Sequence, residues 1–355
     1  MQNSTNELPL VAIAMPTFNS AWALPRVLDS ILAYDYDMRR LRLVFVDNYS
    51  SDDTLKVLED FDAKYGKEFE SVVIESARAN IPVARNICFE KAEGTDYVFI
   101  LDSDVIAPPD TIKVLLHDFE MYENVAMASF PWDHNNAKER AKYLYDAFQT
   151  TNTEVYAYKV GNGCNIVSME AYHAIGGFNP RLNVHEDGEF CFRLRRHGYN
   201  IVCDFTHEGI HLKRVPTPPR FYLKFVWSSS NTYIELLKLG SGMHILKVLS
   251  SILLIASFGL LIAYHDLSPL CFFIASVAFA FWVNTSKRVL DDGIFVKPRY
   301  ILLVGPVLTV LTVMVVVSLI SRVVYRGVSS GLGLHSRDVK EVKESDYLVR
   351  ATFSK

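Results

Sequence analysis

The sequence predicts an α/β fold, a mostly parallel sheet with flanking helices, followed by a helical transmembrane domain. Three observations carry this. Over residues 9–130, short apolar runs alternate with stretches whose apolar positions recur three and four apart; such alternation lays crossover helices on a parallel sheet. Polar clusters directly follow three of the apolar runs. Charge then vanishes in three long blocks near the C-terminus.

The strand-like runs are Leu10–Met15, Leu41–Val46, Ser71–Ile74, Tyr97–Leu101 and Val125–Phe130, short and rich in β-branched residues. Between them, Trp22–Ala33, Thr54–Ala63, Val83–Ala92 and Thr111–Glu120 carry helical spacing. Ser51-Asp52-Asp53 can cap the second helix, and Pro108-Pro109 can start the fourth. Residues 131–210 are less regular. A polar helical stretch at Asn135–Phe148 leads to Val155–Val160 and Gly161-Asn162-Gly163. After Gly176-Gly177, a helix over Glu186–His197 ends at Gly198 as C-cap.

Val215–Pro219 is a stiff, proline-rich connector. Arg220–Leu239 interleaves aromatic and aliphatic residues with Arg220, Lys224 and Lys238. An amphipathic helix in a membrane interface has this composition; a core helix of a soluble domain is the alternative. The charge-free blocks Val248–Tyr264, Leu267–Ser286 and Tyr300–Ser321 hold 17, 20 and 22 residues. At about 1.5 Å per helical residue each can cross a hydrocarbon layer about 30 Å thick, the first only just. The expected organisation is a catalytic domain at 1–211, connector and interface helix at 212–243, a transmembrane domain at 244–325, and a polar tail at 326–355. Lys287, Arg288, Lys297 and Arg299 between the second and third blocks put that linker and the N-terminal domain in the cytoplasm. The tail would then be exported despite its six Lys and Arg residues, which this topology leaves unexplained.

Composition narrows the classes. Of 355 residues, 50% are hydrophobic and 21% charged, which excludes wholesale disorder. A net charge of -4 supplies no basic footprint and argues against nucleic acid as partner. Five cysteines with no CxxC pair fit a reduced compartment, and neither a disulfide framework nor a structural zinc site. The uncharged stretch Leu8–Pro25 lacks a basic region before it and is broken by Pro16, Asn19 and Ser20, so it reads as a buried strand and turn rather than a signal peptide.

The chemistry gathers at strand ends. Pro16-Thr17-Phe18-Asn19 follows the first strand, Asp47-Asn48-Tyr49-Ser50 the second, and Asp102-Ser103-Asp104 the fourth. Ligands of open parallel sheets bind beyond the carboxyl ends of the strands. Any one cluster alone is readily a turn; three on one edge, two of them acidic, point to a site. Asp102 and Asp104 can both turn toward Mg²⁺ or Mn²⁺, whose oxygen shell substrate phosphates often complete. A cation so held neutralises charge on a leaving diphosphate. Arg85 suits a diphosphate or, equally, a surface acid. Glu186, Asp187 and Glu189 occupy a first helical turn, where the dipole favours acids; a general base there needs only reach and a suitable pKa.

The series Pro16–Asn19, Val46–Asp52, Ala84-Arg85-Asn86, Leu101–Asp104, Gly176–Asn179, Glu186–Glu189 and Arg193–Tyr199 resembles the family-2 glycosyltransferases of GT-A fold, over about residues 9–211. The resemblance implies that Asp47 and Asn48 face the nucleotide base, with Pro16, Thr17 and Phe18 lining the same pocket. It implies that Asp102 and Ser103 lie along the nucleotide sugar, with Asp102 at the ribose or metal and Asp104 the principal metal ligand. His211 would join the metal or a phosphate, with His207 a nearby competitor. Asp187 would be the catalytic base, and Glu186 and Gly163 would lie on the acceptor side. Ile81 and Asn48 depart from the family pattern, where glycine and a second aspartate are frequent, and this touches base recognition more than chemistry.

The expected function is therefore an inverting, metal-dependent transfer of a hexose from a GDP- or UDP-sugar. The acceptor would be lipid-linked, such as a polyprenyl phosphate, as in the dolichol-phosphate-sugar synthases. No Gln-x-x-Arg-Trp follows the catalytic region, which argues against a processive synthase. Two other readings stay open: a metal-dependent nucleotidyltransferase, and a non-catalytic nucleotide-sugar-binding subunit of a membrane assembly.

Overall fold

The computed structural model describes residues 8–130, 163–204, 206–207, 209–212, 229, 232–240 and 242–263, with short pieces at 132–133, 148–150, 276–277, 294–296, 313 and 317. The chain begins β1 (Val11–Thr17), α1 (Leu24–Leu32), β2 (Leu41–Asp47), α2 (Thr54–Tyr65), β3 (Ser71–Ser76), α3 (Ile81–Lys91) and β4 (Tyr97–Leu101). It continues through β5 (Val105–Ile106), α4 (Thr111–Met121), β6 (Val125–Ser129), β7 (Trp132–Asp133), β8 (Phe148–Thr150), β9 (Cys164–Ser168) and α5 (Met169–Ile175). Then come α6 (Glu186–Arg196), β10 (Asn200–Cys203), β11 (Gly209–His211), α7 (Gly242–Ala263) and β12 (Ile294–Val296).

Seven strands make one sheet in the order β10-β6-β9-β4-β1-β2-β3. β1 runs parallel to β2 and β4, and β2 to β3, whereas β9 is antiparallel to both β4 and β6. Alternation along each strand feeds two cores. Val11, Ile13 and Met15 of β1 pack with Leu24, Leu28 and Leu58 on one face. Ala12 and Ala14 face the other, against Ala84, Phe89 and Phe190. The small alanines let α3 approach the sheet closely, while bulkier residues fill the opposite layer.

The expected strands and helices of the first 130 residues are present, with bounds shifted by up to two residues. α3 starts earlier than its apolar spacing indicates, because Asn80 caps it through Val83 N and a proline sits in its first turn. The second helix is not capped by Asp53; Asp52 instead accepts the Thr54 N–H at 3.1 Å. Gly198, at φ 87°, stands just beyond α6 as expected. β9, α5 and β10 were not anticipated. The helical stretch expected at 135–148 and the run 155–160 lie outside the described residues, apart from Phe148 in β8.

In the C-terminal region α7 overlaps the first charge-free block but starts six residues before it, with Lys247 inside. Among the described residues no helix is long and apolar enough to cross a membrane. Of α7, side chains are described over 245–257 and at 260. The blocks 267–286 and 300–321 lie outside the described residues except for helical positions at 276–277, 313 and 317. Of the stretch 220–239, residues 229 and 232–238 are helical.

Candidate active site

The carboxyl ends of β1, β2 and β4 lie side by side, because β1 is paired in parallel with both of the others. Thr17 is in register with Asp47, and its hydroxyl donates to Asp47 Oδ1 at 3.2 Å. Asp47 is buried and also accepts from the Ser50 backbone N–H at 2.9 Å and from the Ser50 hydroxyl at 2.5 Å. Its oxygens thus organise the turn that follows β2. Asn19 is tied into the same turn: its N–H meets Ser50 Oγ and its side chain accepts from Ser51 N, both at 2.8 Å. Asn48 Oδ1 accepts from Ala79 N at 3.1 Å and so fixes the loop ahead of α3. Ser103 and Ser20 share a hydrogen bond of 2.7 Å, joining the acidic cluster to the end of β1. Pro16 and Thr17 are buried beneath this edge, while Phe18 is 58% exposed at its rim.

Asp104 finds its partner far along the chain. β11 pairs antiparallel with β5, setting His211 against Val105, and Leu212 N donates to Asp104 O at 2.7 Å. His211 Nε2 thereby comes within 3.1 Å of Asp104 Oδ2. His207, the competitor, faces elsewhere: its Nε2 is 3.1 Å from Asp110 and its ring stacks on Phe130. Gly163 lies behind the acidic cluster, its carbonyl accepting the Asp102 N–H at 3.2 Å.

Arg85 comes from α3 and is 4% exposed. Its Nη1 donates to Glu186 Oε1 at 2.6 Å and its Nη2 to Asp102 Oδ1 at 3.3 Å. The guanidinium lies 5.7 Å from the centre of the Phe178 ring. Burial pushes the Asp102 carboxyl up to about 6; Arg85 offsets part of this, and the nearby Asp104 adds to it. Asp104 against His211, with the Asp102 carboxylate near Asp104, offers oxygen and nitrogen donors of the kind Mg²⁺ or Mn²⁺ accepts. Among the described residues no three His, Cys, Asp or Glu side chains form a complete metal cluster. A cation held by these side chains would need further ligands, a part that substrate phosphates often supply.

Glu186 and Asp187 open α6, with Asp187 Oδ1 accepting the Gly188 N–H at 2.7 Å. The preceding His185 is in the left-handed region at φ 59°. Sequence reasoning missed Asn80, which supports this edge, and gave Tyr49 no role beyond its place in the polar turn. Asn80, besides capping α3, donates to Pro180 O at 2.9 Å and Leu182 O at 3.0 Å. Tyr49, at φ 50° and 57% exposed, lies 5.7 Å beneath the Arg78 guanidinium at the rim. An aromatic ring inside an Asp-Asn-Tyr-Ser turn is the signal that could have marked it.

Residues 12–179 match the model of a family described as glycosyl transferase family 2. Among curated proteins, the hyaluronan synthase of Pasteurella multocida is 22% identical over 205 residues, covering 56% of this chain and 20% of the relative. The chain thus spans about a fifth of that relative's length. Among solved structures, the mannosyltransferase PcManGT of Pyrobaculum calidifontis, in complex with GDP-Man and Mn²⁺, superposes with a TM-score of 0.55 at 15% identity, over 89% of this chain and 87% of the other. TarS 1-349 of S. aureus, in complex with UDP-GlcNAc, gives a TM-score of 0.51 at 16% identity, over 92% and 93%. These likenesses establish a shared GT-A-like fold.

Proposed function

Because residues 12–179 match the model of glycosyl transferase family 2, we propose that the chain is a member of that family and moves a hexose from a GDP- or UDP-sugar, such as GDP-mannose, to a lipid-linked acceptor at a membrane. The observation that carries this is the convergence of Asp104, His211, Asp102, Arg85 and Glu186 at the carboxyl edge of the sheet. Donors named with the two structural neighbours, GDP-Man and UDP-GlcNAc, support a nucleotide-sugar substrate.

Asp104 and His211, with Asp102 beside them, would hold Mn²⁺ or Mg²⁺. That cation would neutralise charge on the departing nucleoside diphosphate. Asp187 takes the proton of an acceptor hydroxyl. The acceptor oxygen then bonds to the anomeric carbon from the face opposite the diphosphate. The carbon–oxygen bond to the diphosphate breaks, and the diphosphate leaves with that electron pair. A phosphate acceptor is already anionic, and Asp187 then positions it without removing a proton.

Attachment to the membrane is supported by an inverted burial pattern. In α7, Ser250, Ser251 and Ser257 are buried, their hydroxyls satisfied by carbonyls three or four residues earlier. Leu249, Ile252, Ile255 and Leu260 are exposed, Leu249 by 54%. Ser276 and Val277 repeat the contrast. Helices that pack in lipid turn small residues inward and aliphatic ones outward. The linker basic residues support a cytoplasmic catalytic domain.

The test uses the full chain in lipid nanodiscs with GDP- and UDP-sugars and Mn²⁺. Cation-dependent release of a nucleoside diphosphate is expected, together with its loss in Asp104→Asn. Release of pyrophosphate, or no turnover with any nucleotide sugar, overturns the reading.

A further inference from the structure

The backbone carrying the two acids at the head of α6 is held from two sides. From the catalytic domain, Asn80 binds the carbonyls of Pro180 and Leu182. From the other side come two residues beyond the proline-rich connector, on the helical segment leading toward α7. Thr232 Oγ1 donates to Val184 O at 2.8 Å, and Ser229 Oγ shares a 3.1 Å hydrogen bond with His185 Nε2. Both hydroxyl residues are buried.

His185 needs such support. It is a non-glycine residue at φ 59° and ψ 22°, and it precedes α6 without a side-chain cap. The left-handed conformation is unfavourable for an L-residue and persists where surrounding contacts over-determine it. The next residue, Glu186, meets Arg85, and Arg85 meets Asp102. A contiguous set of contacts therefore runs from Ser229 and Thr232 through 184–186 to the acidic cluster.

Resting on the transferase reading above, we propose that Thr232 and Ser229 are positioning residues. They hold Val184 and His185 so that Glu186 stays against Arg85 and Asp187 stays at the head of its helix. The segment leading into the C-terminal helix thus completes the catalytic geometry without touching the nucleotide sugar. Seating of that segment is then coupled to turnover, since misplacing a reacting group by about 1 Å can cost about 10²-fold in rate.

The experiment compares full-length Thr232→Val, Thr232→Ser, Ser229→Ala, His185→Ala and the Ser229→Ala/His185→Ala double variant in nanodiscs. Thr232→Val is expected to lower kcat about tenfold or more while the KM for nucleotide sugar stays within about twofold. Thr232→Ser should restore kcat, because it keeps the hydroxyl. The double variant should be no slower than the slower single, because one shared contact is lost in each. Amide hydrogen exchange should accelerate at 182–188 in Thr232→Val while β1 and β2 keep their protection. Unchanged exchange at 182–188 overturns the proposal even if the parent protein proves to have no transferase activity, which separates this failure from that of the function itself. Additive losses in the double variant, or a Thr232→Ser variant as slow as Thr232→Val, overturn it as well. If Thr232→Val fails to fold, Ser229→Ala carries the same kinetic and exchange readouts, with parental values in both counting against the proposal.

Discussion

Asp104 and His211 are 107 residues apart in sequence, and their side chains meet at 3.1 Å because β11 closes antiparallel on β5. Neither strand belongs to the main sheet; with β7 they form a small sheet of their own. His211→Ala should therefore weaken Mn²⁺ binding by at least about tenfold without disturbing the central sheet. Titration of Mn²⁺ in the presence of a nucleoside diphosphate measures this. Parental affinity in the variant would remove His211 from the metal site.

Arg85 is the only positive group bonded to both Asp102 and Glu186 among the described contacts. Removing one partner of a buried ion pair typically costs about 3–5 kcal/mol, since the other charges stay behind uncompensated. Arg85→Ala is expected to approach that loss in urea unfolding, and to abolish turnover. Arg85→Lys should recover part of the stability but little activity, because an ammonium cannot present two donors in the same planar fork.

Asp187 separates two classes of acceptor. With a hydroxyl acceptor, Asp187→Asn should lose about 10²–10⁴ in kcat, the usual worth of a general base. With a lipid phosphate acceptor the loss should be much smaller, and the pH–rate profile should lack the limb that a base contributes. Parallel assays with the two acceptors decide which chemistry operates.

Asp118, in α4, supplies a pH test remote from the site. Burial and the nearby Asp204 push its carboxyl up to about 6. The folded state therefore binds a proton more tightly than the unfolded chain does. Its contribution to stability is full below the unfolded value near 3.8 and is lost as pH rises through about 6. Asp118→Asn should gain on the parent as pH rises through that window. Thermal or urea unfolding at pH 4 and pH 7.5 measures it; an equal difference at both values would refute the assignment.

Much of the N-terminal half was legible because its signals are local. Near-continuous apolar runs in Val11–Met15 and Leu41–Val46 mark strands buried on both faces. The polar turns after them announce the ligand edge before any contact is known. β9 escaped because its five residues, only Cys164, Ile166 and Val167 of them apolar, lie between a glycine and a short helix and carry no period long enough to read. Its antiparallel insertion between β4 and β6 depends on partners elsewhere in the chain. Arg85 was equally readable as a diphosphate ligand or an ion-pair partner. Burial beside Glu186, 101 residues away, decides what it holds in this structure.

The sequence by itself determined the alternating α/β order, the acids at the strand ends and the charge-free C-terminal blocks. Each of these follows from neighbouring residues and the two backbone periods. Only the tertiary structure decided that His211 rather than His207 reaches Asp104, that Arg85 joins Asp102 to Glu186, and that Thr232 and Ser229 brace the loop before Asp187. These are meetings between distant segments, fixed by strand pairing and by burial of polar groups that must find partners. No local period encodes them.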